Sequence, residues 1–128
     1  MSNFKKQYVV NRYLINIGDK FTVGDGFFKY SQSKTKGGEY KLEMVDINKT
    51  DVFIKGISKR NFFYWEDPKY IDSIIQKIYE MPPIILEKMG GTYYSVDGHH
   101  RITAACELGI KKLPAFVIEV DKLTYPRS

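Results

Sequence analysis

Both histidines of the 128-residue chain lie side by side within residues 95–110, whose sequence is SVDGHHRITAACELGI. Asp97 and Gly98 precede them and Arg101 follows directly. The pattern is typical of a strand that ends, a turn, and a helix that begins. The first N–H groups of a helix lack intrahelical partners and lie at the positive end of its dipole. The segment therefore predicts an anion site, most naturally for the phosphates of a nucleotide.

The side chains of this turn suit different roles at such a site. Gly98 lets the backbone approach a ligand because it has no Cβ, and the planar fork of Arg101 suits phosphate oxygens. His100 and Thr103 can donate further hydrogen bonds. The carboxylate of Asp97 suits a Mg²⁺ ion that bridges to the phosphates, or a base that takes a proton from an incoming hydroxyl. Asp97 and His100 are the predicted catalytic residues, and Asp97 is the predicted metal ligand.

Simpler roles stay open for the same side chains. Asp-Gly is a common turn sequence, so Asp97 could act only as the N-cap of the helix. Arg101 could pair with Glu107 or Glu119 and bind no ligand. A zinc centre is not expected, because zinc-binding histidines on a helix are spaced by three or four residues. Cys106 lies mid-helix, where a thiol is usually packed and inert.

A helix over residues 69–80 is predicted upstream of the turn. Its evidence is apolar residues at helical spacing, namely Ile71, Ile74, Ile75 and Ile78. Asp67 suits the N-cap, and Pro68 suits the first turn, where a missing N–H removes no hydrogen bond. The sequence MPP at 81–83 ends the helix, because a residue before proline is disfavoured in the α region.

Residues 84–120 predict a hairpin, a short helix and a final strand. The hairpin arms are IILEK and TYYSV, joined by the turn MGG. The helix HHRITAACEL directs Ile102, Ala105 and Leu108 inward, and Gly109 suits the left-handed residue that follows a helix. LPAFVIEV is the buried last strand. The order of these elements predicts an α/β or α+β fold.

Residues 1–64 predict short strands and carry the positive charge of the chain. The strand-like runs are YVV, FTV, FFKY, YKLEMV and VFIKGI. This half has 12 Lys and Arg against 6 Asp and Glu, a net +6, whereas residues 65–128 have 8 against 9, a net −1. Clustered cations can contact DNA phosphates, and the candidates are Lys34, Lys36, Lys41, Lys59 and Arg60. A solvated basic surface is the simpler interpretation.

Length and composition limit the class of protein. The chain suits one domain, and it is 43% hydrophobic and 15% aromatic, which supplies a core. No apolar run approaches the roughly 20 residues that span a bilayer, and the N-terminus lacks a signal-peptide core. The single Cys106 cannot form an internal disulfide. We expect a cytoplasmic protein with no membrane partner.

The sequence PPIILEK…YYSVDGHHRITAACELGIKKLPAFVIE resembles the ParB/sulfiredoxin superfamily, in particular its small ParB-like members. The motif is Gly-x-x-Arg-x-x-Ala at Gly98, Arg101 and Ala104. The resemblance covers residues 82–119 and is looser over 44–81. It implies a small mixed sheet with flanking helices in a single compact domain. Residues 44–128 would be the nucleotide-binding domain, and residues 1–43 a basic, strand-rich N-terminal extension.

The resemblance also implies a ligand. In this superfamily the G-x-x-R turn cradles the triphosphate of CTP or ATP. Carried over, phosphate contacts fall to Gly98, His99, His100 and Arg101, with Thr103 as a neighbour and Mg²⁺ accompanying the nucleotide. His99 occupies the position of the catalytic cysteine of sulfiredoxins, so sulfinic-acid repair is not expected.

Two further comparisons refine this expectation. His99 and His100 stand where chromosome-partitioning ParB proteins have an acidic residue and an arginine. The Asp-Gly-His-x-Arg turn is similar to that of the free-serine kinases, whose further catalytic glutamate has Glu66 as a conceivable counterpart.

The aromatic run NFFYWED at 61–67 could stack on bases or pack beneath the helix over 69–80.

The expected function is binding of ATP or CTP by a Mg²⁺-dependent NTPase or small phosphotransferase. One alternative is a nucleotide-dependent, DNA-associated module without catalysis. The other is a ParB-like, metal-dependent nuclease.

Overall fold

The computed structural model describes residues 3–51 and 68–125. These residues form eight strands and two α-helices. In chain order they are β1 (Gln7–Val10), β2 (Tyr13–Asn16), β3 (Lys20–Val23), β4 (Gly38–Asp46), β5 (Thr50–Asp51), α1 (Pro68–Lys77), β6 (Ile84–Met89), β7 (Thr92–Asp97), α2 (His99–Glu107) and β8 (Lys112–Glu119).

Six of these strands form one mixed sheet in the order β3-β4-β8-β6-β7-β5, and β1 and β2 pair separately. Most neighbours in the large sheet are antiparallel, but β6 is parallel to β8 and β5 is parallel to β7. The parallel pair β6 and β8 is connected through β7 and α2. This topology confirms the predicted α+β class and the small mixed sheet of a single compact domain.

Both helices cover one face of the sheet. The apolar side of α1 buries Ile71 and Ile74, and a 3₁₀ turn at Ile78–Glu80 continues its path with Ile78 also buried. These side chains pack with Ile102 of α2 and with the residues of β6 and β8 that point to this face. The helix predicted from isoleucine spacing is therefore confirmed, and its burial places α1 against α2.

The opposite face is covered by residues from the N-terminal part of the chain rather than by helices. Tyr8 of β1, Ile15 of β2 and Phe28 pack there against the sheet. The ring of Phe28 lies 4.9 Å from that of Tyr40 and 4.8 Å from that of Phe116, measured between centroids. The boundary predicted between residues 43 and 44 falls inside β4, which pairs with both β3 and β8.

The predicted hairpin is confirmed, with arms β6 and β7. Gly90 and Gly91 form its two-residue turn at φ +57° and +82°, and such turns suit glycine because both central residues need positive φ. This hairpin matters for the candidate site because β7 leads directly into the histidine turn.

The end of α2 follows the glycine prediction. Gly109 has φ +72°, the N–H of Ile110 bonds the carbonyl of Ala105 at 2.9 Å, and the N–H of Gly109 bonds that of Cys106 at 3.2 Å. This is a Schellman motif. The inward placement of Leu108 was wrong, because α2 ends at Glu107 and Leu108 is 42% exposed as its C-cap.

Two strand predictions were also wrong. The run FFKY at 27–30 is a loop, because Phe28 anchors the aromatic layer instead of pairing with a neighbouring strand. The segment Tyr13–Asn16 was not predicted as a strand, yet it forms β2. Its pattern has a single inward residue, Ile15, between exposed neighbours, and this gives little periodic signal.

Several predicted residues lie outside the described ranges. They are the cap Asp67, the basic pair Lys59 and Arg60, the aromatic run at 61–67, Glu66 and the whole run VFIKGI at 52–57. Across residues 3–51 and 68–125, no helix has the length and apolar character needed to cross a membrane.

Candidate functional site

The histidine turn has the predicted form of a strand that passes into a helix. β7 ends at Asp97, Gly98 is the N-cap, and α2 begins at His99. The carbonyl of Gly98 accepts the first intrahelical bond, from the N–H of Ile102, at 2.9 Å. Gly98 provides no side-chain cap, so the start of α2 is not closed by its own N-cap residue.

Gly98 is required by packing as well as by backbone conformation. Its φ is +117°, a region that L side chains rarely adopt. A Cβ at this position would lie 2.3 Å from Cγ2 of Ile84. The glycine thus lets the turn lie directly against the first residue of β6, and close approach to a ligand stays a prediction.

Arg101 is buried and bonded within the turn. Only 8% of the residue is exposed. Nη2 of the guanidinium donates to Oδ2 of Asp97 at 3.3 Å, and Nη1 donates to the carbonyl oxygen of Pro82. The alternatives of Glu107 or Glu119 as partner, and of Asp97 as a mere N-cap, therefore do not hold.

Burial shifts the ionisation of both members of this pair. Desolvation lowers the pKa of Arg101, and this fall is opposed by Asp97 and by three tyrosines near the guanidinium, Tyr30, Tyr70 and Tyr8. Desolvation also raises the pKa of Asp97 above its ordinary value of 3.8. The charge of Arg101 and its hydrogen bond lower this pKa, but by less than desolvation raises it. A carboxylate of raised pKa is a stronger base, as proton transfer at neutral pH requires.

The raised pKa of Asp97 predicts a pH dependence of stability. The folded state holds this proton more tightly than the unfolded chain, so the stability contributed by Asp97 is full below pH 3.8 and is lost as the pH rises through the folded-state pKa. The free energy of unfolding of wild type minus that of Asp97→Asn should therefore fall with rising pH. Urea titrations at several pH values, with the exposed Asp121→Asn as control, measure this difference. A difference that grows with pH would contradict it.

The turn borders a cavity of about 410 Å³. Four of the predicted residues, Asp97, His99, His100 and Arg101, line it together with Gly98. Thr103 does not, because it is fully buried and its hydroxyl donates to the carbonyl of His99 at 3.2 Å. The structure thus brings together every predicted phosphate-binding residue except Thr103.

Other residues of the cavity were not identified from the sequence. Tyr30, Gln32 and Ser33 come from the N-terminal part of the chain, and Tyr70 comes from α1. The ring of Tyr70 meets that of His100 edge-on, with centroids 4.9 Å apart. No local pattern could have found these residues, because they reach the turn only through tertiary packing. The sequence places Tyr70 in the predicted helix over 69–80 but does not place it beside the turn.

A second cavity brings two of the predicted DNA-binding lysines together. It measures about 530 Å³, and Lys36 and Lys41 line it with two further lysines. Three glutamates share the same surface, so the local excess of positive charge is small; they are Glu39, Glu43 and Glu119. Lys34 is exposed elsewhere. A third cavity, of about 430 Å³ between β2 and β3, is mainly apolar.

The described residues contain no group of three or more His, Cys, Asp or Glu side chains that could hold a metal ion. Among the described residues that line the cavity at the histidine turn, Asp97 is the one carboxylate. Mg²⁺ usually binds through one or two carboxylates plus phosphates and water. The donor set therefore fits a Mg²⁺ ion that arrives with a nucleotide, and it does not fit an ion held by protein alone.

Comparisons with known proteins give partial matches. An uncharacterised protein of Methanocaldococcus jannaschii is 39% identical over 59 residues, which cover 41% of this chain and 22% of that protein. The chain therefore spans about a fifth of the length of this relative. Sulfiredoxin from Arabidopsis thaliana matches with 21% identity and a TM-score of 0.43, over 62% of this chain and 85% of that one. A conserved hypothetical protein from Pyrococcus furiosus matches with 23% identity and a TM-score of 0.44, over 61% of this chain and 32% of that one.

The family assignment comes from a model of the ParB N-terminal domain, which matches residues 35–126. This range includes β4, both described helices and the whole of the histidine turn, so it covers most of the chain. The resemblance inferred from Gly98, Arg101 and Ala104 is thereby confirmed. The chain belongs to the ParB N-terminal domain family.

Proposed function

We propose that this chain binds a nucleoside triphosphate, ATP or CTP, at the turn between β7 and α2, and acts as a Mg²⁺-dependent NTPase or small phosphotransferase. The observation that carries the proposal is the convergence of Asp97, His99, His100 and Arg101 on one cavity of about 410 Å³. That volume lies within the range usual for small-molecule sites. A carboxylate, two imidazoles and a guanidinium form a donor-rich set for an anionic substrate.

Arg101 is the main cationic group of the site. Its guanidinium has five N–H donors, and the bonds to Asp97 and Pro82 use two of them. The same bonds hold the guanidinium plane in one orientation beside the cavity. An oriented fork binds phosphate oxygens at a smaller entropic cost than a free side chain does. His99 and His100 would add hydrogen bonds from the first turn of α2.

Asp97 would supply the base for phosphoryl transfer. An acceptor hydroxyl, or water in an NTPase, attacks the γ-phosphorus and passes its proton to the Asp97 carboxylate. The bond between the γ-phosphorus and the bridging oxygen breaks, and its electron pair stays on the departing diphosphate. The upward shift of the pKa of Asp97 supports this role. Positioning and charge stabilisation dominate such reactions.

Mg²⁺, when bound with the nucleotide, would neutralise charge on the phosphate oxygens. Asp97 is the residue of the described chain that could contact it, through the carboxylate oxygen that does not bond Arg101. The side chain of Asp97 is 20% exposed, so that oxygen can face the cavity. A carboxylate that coordinates Mg²⁺ is a weaker base, so Asp97 would act either as the metal ligand or as the base. Which of the two roles it takes would depend on how the nucleotide binds.

Calorimetry tests the proposal. ATP and CTP, each with and without Mg²⁺, are titrated into wild type, into His100→Ala and into Glu107→Ala. The last variant removes an exposed charge at the far end of α2 and leaves the cavity intact. We expect His100→Ala to weaken binding about tenfold, the effect of one or two lost hydrogen bonds to a charged group. Equal affinities in His100→Ala and Glu107→Ala, or no binding by wild type, would overturn the site.

The DNA-associated and nuclease alternatives have less support among the described residues. The second cavity is lined by Lys36 and Lys41 but also by three glutamates. These carboxylates weaken the attraction to a phosphate backbone. A metal-dependent nuclease needs a cage of ligands, and none of three or more such side chains occurs in residues 3–51 and 68–125.

A further inference from the structure

Two consecutive strands, β2 and β3, do not pair with each other. A tight turn joins them, in which the N–H of Asp19 bonds the carbonyl of Asn16 at 2.9 Å and the N–H of Asn16 bonds the carboxylate of Asp19 at 2.8 Å. β2 pairs with β1, whereas β3 pairs with β4 at the end of the six-stranded sheet. Within residues 3–51 and 68–125, no strand pairs with the other edge of β3. This edge is therefore open to a further strand.

The register shows which backbone groups of β3 face its open edge. In an antiparallel pair, residues whose N–H and C=O bond the partner strand alternate with residues whose groups face away from it. The N–H of Leu42 in β4 bonds the carbonyl of Asp19 at 3.0 Å, so Phe21 is the next residue along β3 that is bonded to β4. The N–H and C=O groups of Lys20 and Thr22 therefore face the open edge.

An apolar cavity of about 430 Å³ lies beside this edge, between β2 and β3. Its aromatic side chains are in contact, because the ring centroid of Phe27 lies 6.2 Å from those of both Tyr13 and Phe21. Leu14 and Val23 add aliphatic surface, and Tyr13 and Leu14 are 65% and 58% exposed. Sites that bind a peptide by strand addition combine these two features, an open edge for main-chain bonds and a pocket for alternate side chains.

This surface is separate from the histidine turn. None of the described residues lines both this cavity and the cavity at the turn. The residues that line it precede residue 35, where the family match begins. The surface is thus a feature of this chain beyond the part that the family model describes, and it does not depend on the proposed nucleotide site.

The charges near the cavity determine the kind of partner that fits it. Residues 3–30 carry five Lys and Arg against two Asp, a net +3. The carboxylates of Asp19 and Asp25 accept backbone N–H groups at 2.8 and 2.6 Å. The cations Arg12, Lys20 and Lys29 are exposed, and none of them forms an ion pair with the described part of the chain. A second copy would bring the same positive charge to the edge, whereas an acidic segment complements it.

We propose that the open edge of β3 binds an extended segment of a partner protein in which apolar and acidic side chains alternate. The segment adds a strand, and its backbone bonds the N–H and C=O groups of Lys20 and Thr22. Side chains of a strand point alternately to the two faces of a sheet. The apolar ones lie on the face of Phe21 and Val23 and enter the cavity, and the acidic ones lie on the opposite face beside the Lys20 ammonium.

Three synthetic seven-residue peptides with blocked ends test the proposal. They are an alternating Val-Glu peptide, an alternating Val-Lys peptide, and the Val-Glu peptide with every backbone nitrogen methylated. Each is titrated into the ¹⁵N-labelled full chain. We expect the Val-Glu peptide to shift the amide resonances of Lys20 and Thr22 more than those of His99 and His100. It should bind about tenfold more tightly than either other peptide, the worth of two or more hydrogen bonds or exposed ion pairs.

Three variants separate the backbone bonds from the charge. Thr22→Pro removes an N–H from the open edge and keeps the bonds to β4, because proline is tolerated at an edge; it should weaken the Val-Glu peptide about fivefold, as loss of one hydrogen bond does. Lys20→Glu should weaken the Val-Glu peptide about fivefold and strengthen the Val-Lys peptide. Lys111→Glu changes an exposed lysine that does not line the cavity, and both affinities should stay at the wild-type values.

Several results would overturn the proposal. They are no binding of the Val-Glu peptide, equal binding of the Val-Glu and Val-Lys peptides, and unchanged binding after methylation. A dimer in sedimentation that Thr22→Pro abolishes would show that a second copy occupies the edge, and this too would overturn it. Melting temperatures show whether each variant is folded, and if Thr22→Pro is not, Lys20→Glu decides.

Discussion

Replacing Arg101 by alanine should lower the free energy of unfolding by about 3–5 kcal/mol, because it removes one partner of a buried ion pair. Arg101 is 8% exposed and bonds Asp97 and the carbonyl of Pro82. Without the guanidinium, the half-buried carboxylate of Asp97 loses its counter-charge and the Pro82 carbonyl loses its donor. Urea denaturation followed by far-UV circular dichroism measures the loss.

Two further variants make this result specific to the pair. Lys111→Ala removes an exposed cation and should change stability by less than about 0.5 kcal/mol. The double variant Asp97→Ala with Arg101→Ala should be more stable than the sum of the single losses predicts, by about 1–3 kcal/mol. Additive losses, or a loss below about 1 kcal/mol for Arg101→Ala alone, would show that the pair does not hold the turn.

Gly98→Ala is expected to have an effect of similar size for a different reason. The new Cβ would lie 2.3 Å from Cγ2 of Ile84, and the backbone at φ +117° disfavours any side chain. Overpacking typically costs about 1–3 kcal/mol, and the backbone strain adds about 1–3 kcal/mol. We expect a combined loss of about 3–5 kcal/mol, measured by the same urea denaturation.

Gly109 is the matched control for this substitution. It also has a positive φ, of +72°, but no atom lies within 4 Å of the position of its Cβ. Gly109→Ala should therefore show the backbone cost alone, about 1 kcal/mol. Ile84→Ala is itself destabilising because Ile84 is buried, but it removes Cγ2, so the double variant with Gly98→Ala should lose less than the sum of the two single losses. Equal losses for Gly98→Ala and Gly109→Ala would contradict the close contact with β6.

Arg101 and Gly98 shape the turn as well as line the cavity, so a loss of nucleotide binding in either variant has two possible causes. His100 and Gln32 are better probes of binding, because neither has a comparable place in the core. Stability and affinity measured on the same variants separate the two effects.

Local patterns in the sequence determined the elements around the candidate site. The isoleucines at 71, 74 and 78 marked α1 because an amphipathic helix repeats its apolar side every 3.6 residues. Gly109 marked the end of α2 because a left-handed residue there favours glycine. Gly98 and Arg101 marked the turn, and with Ala104 they indicated the family. Each inference depends on residues a few positions apart.

Only the tertiary structure decided the partner of Arg101 and the far wall of the cavity. Glu107 and Glu119 were the partners considered for Arg101 from the sequence, whereas the path of the chain from β7 into α2 pairs it with Asp97. The loop that carries Gln32 reaches the turn because Phe28 is buried against Tyr40 and Phe116. Such contacts join segments far apart along the chain, and they depend on strand order and burial. Short-range periodicity records which side of a segment is apolar, but it does not record which distant segment will cover it.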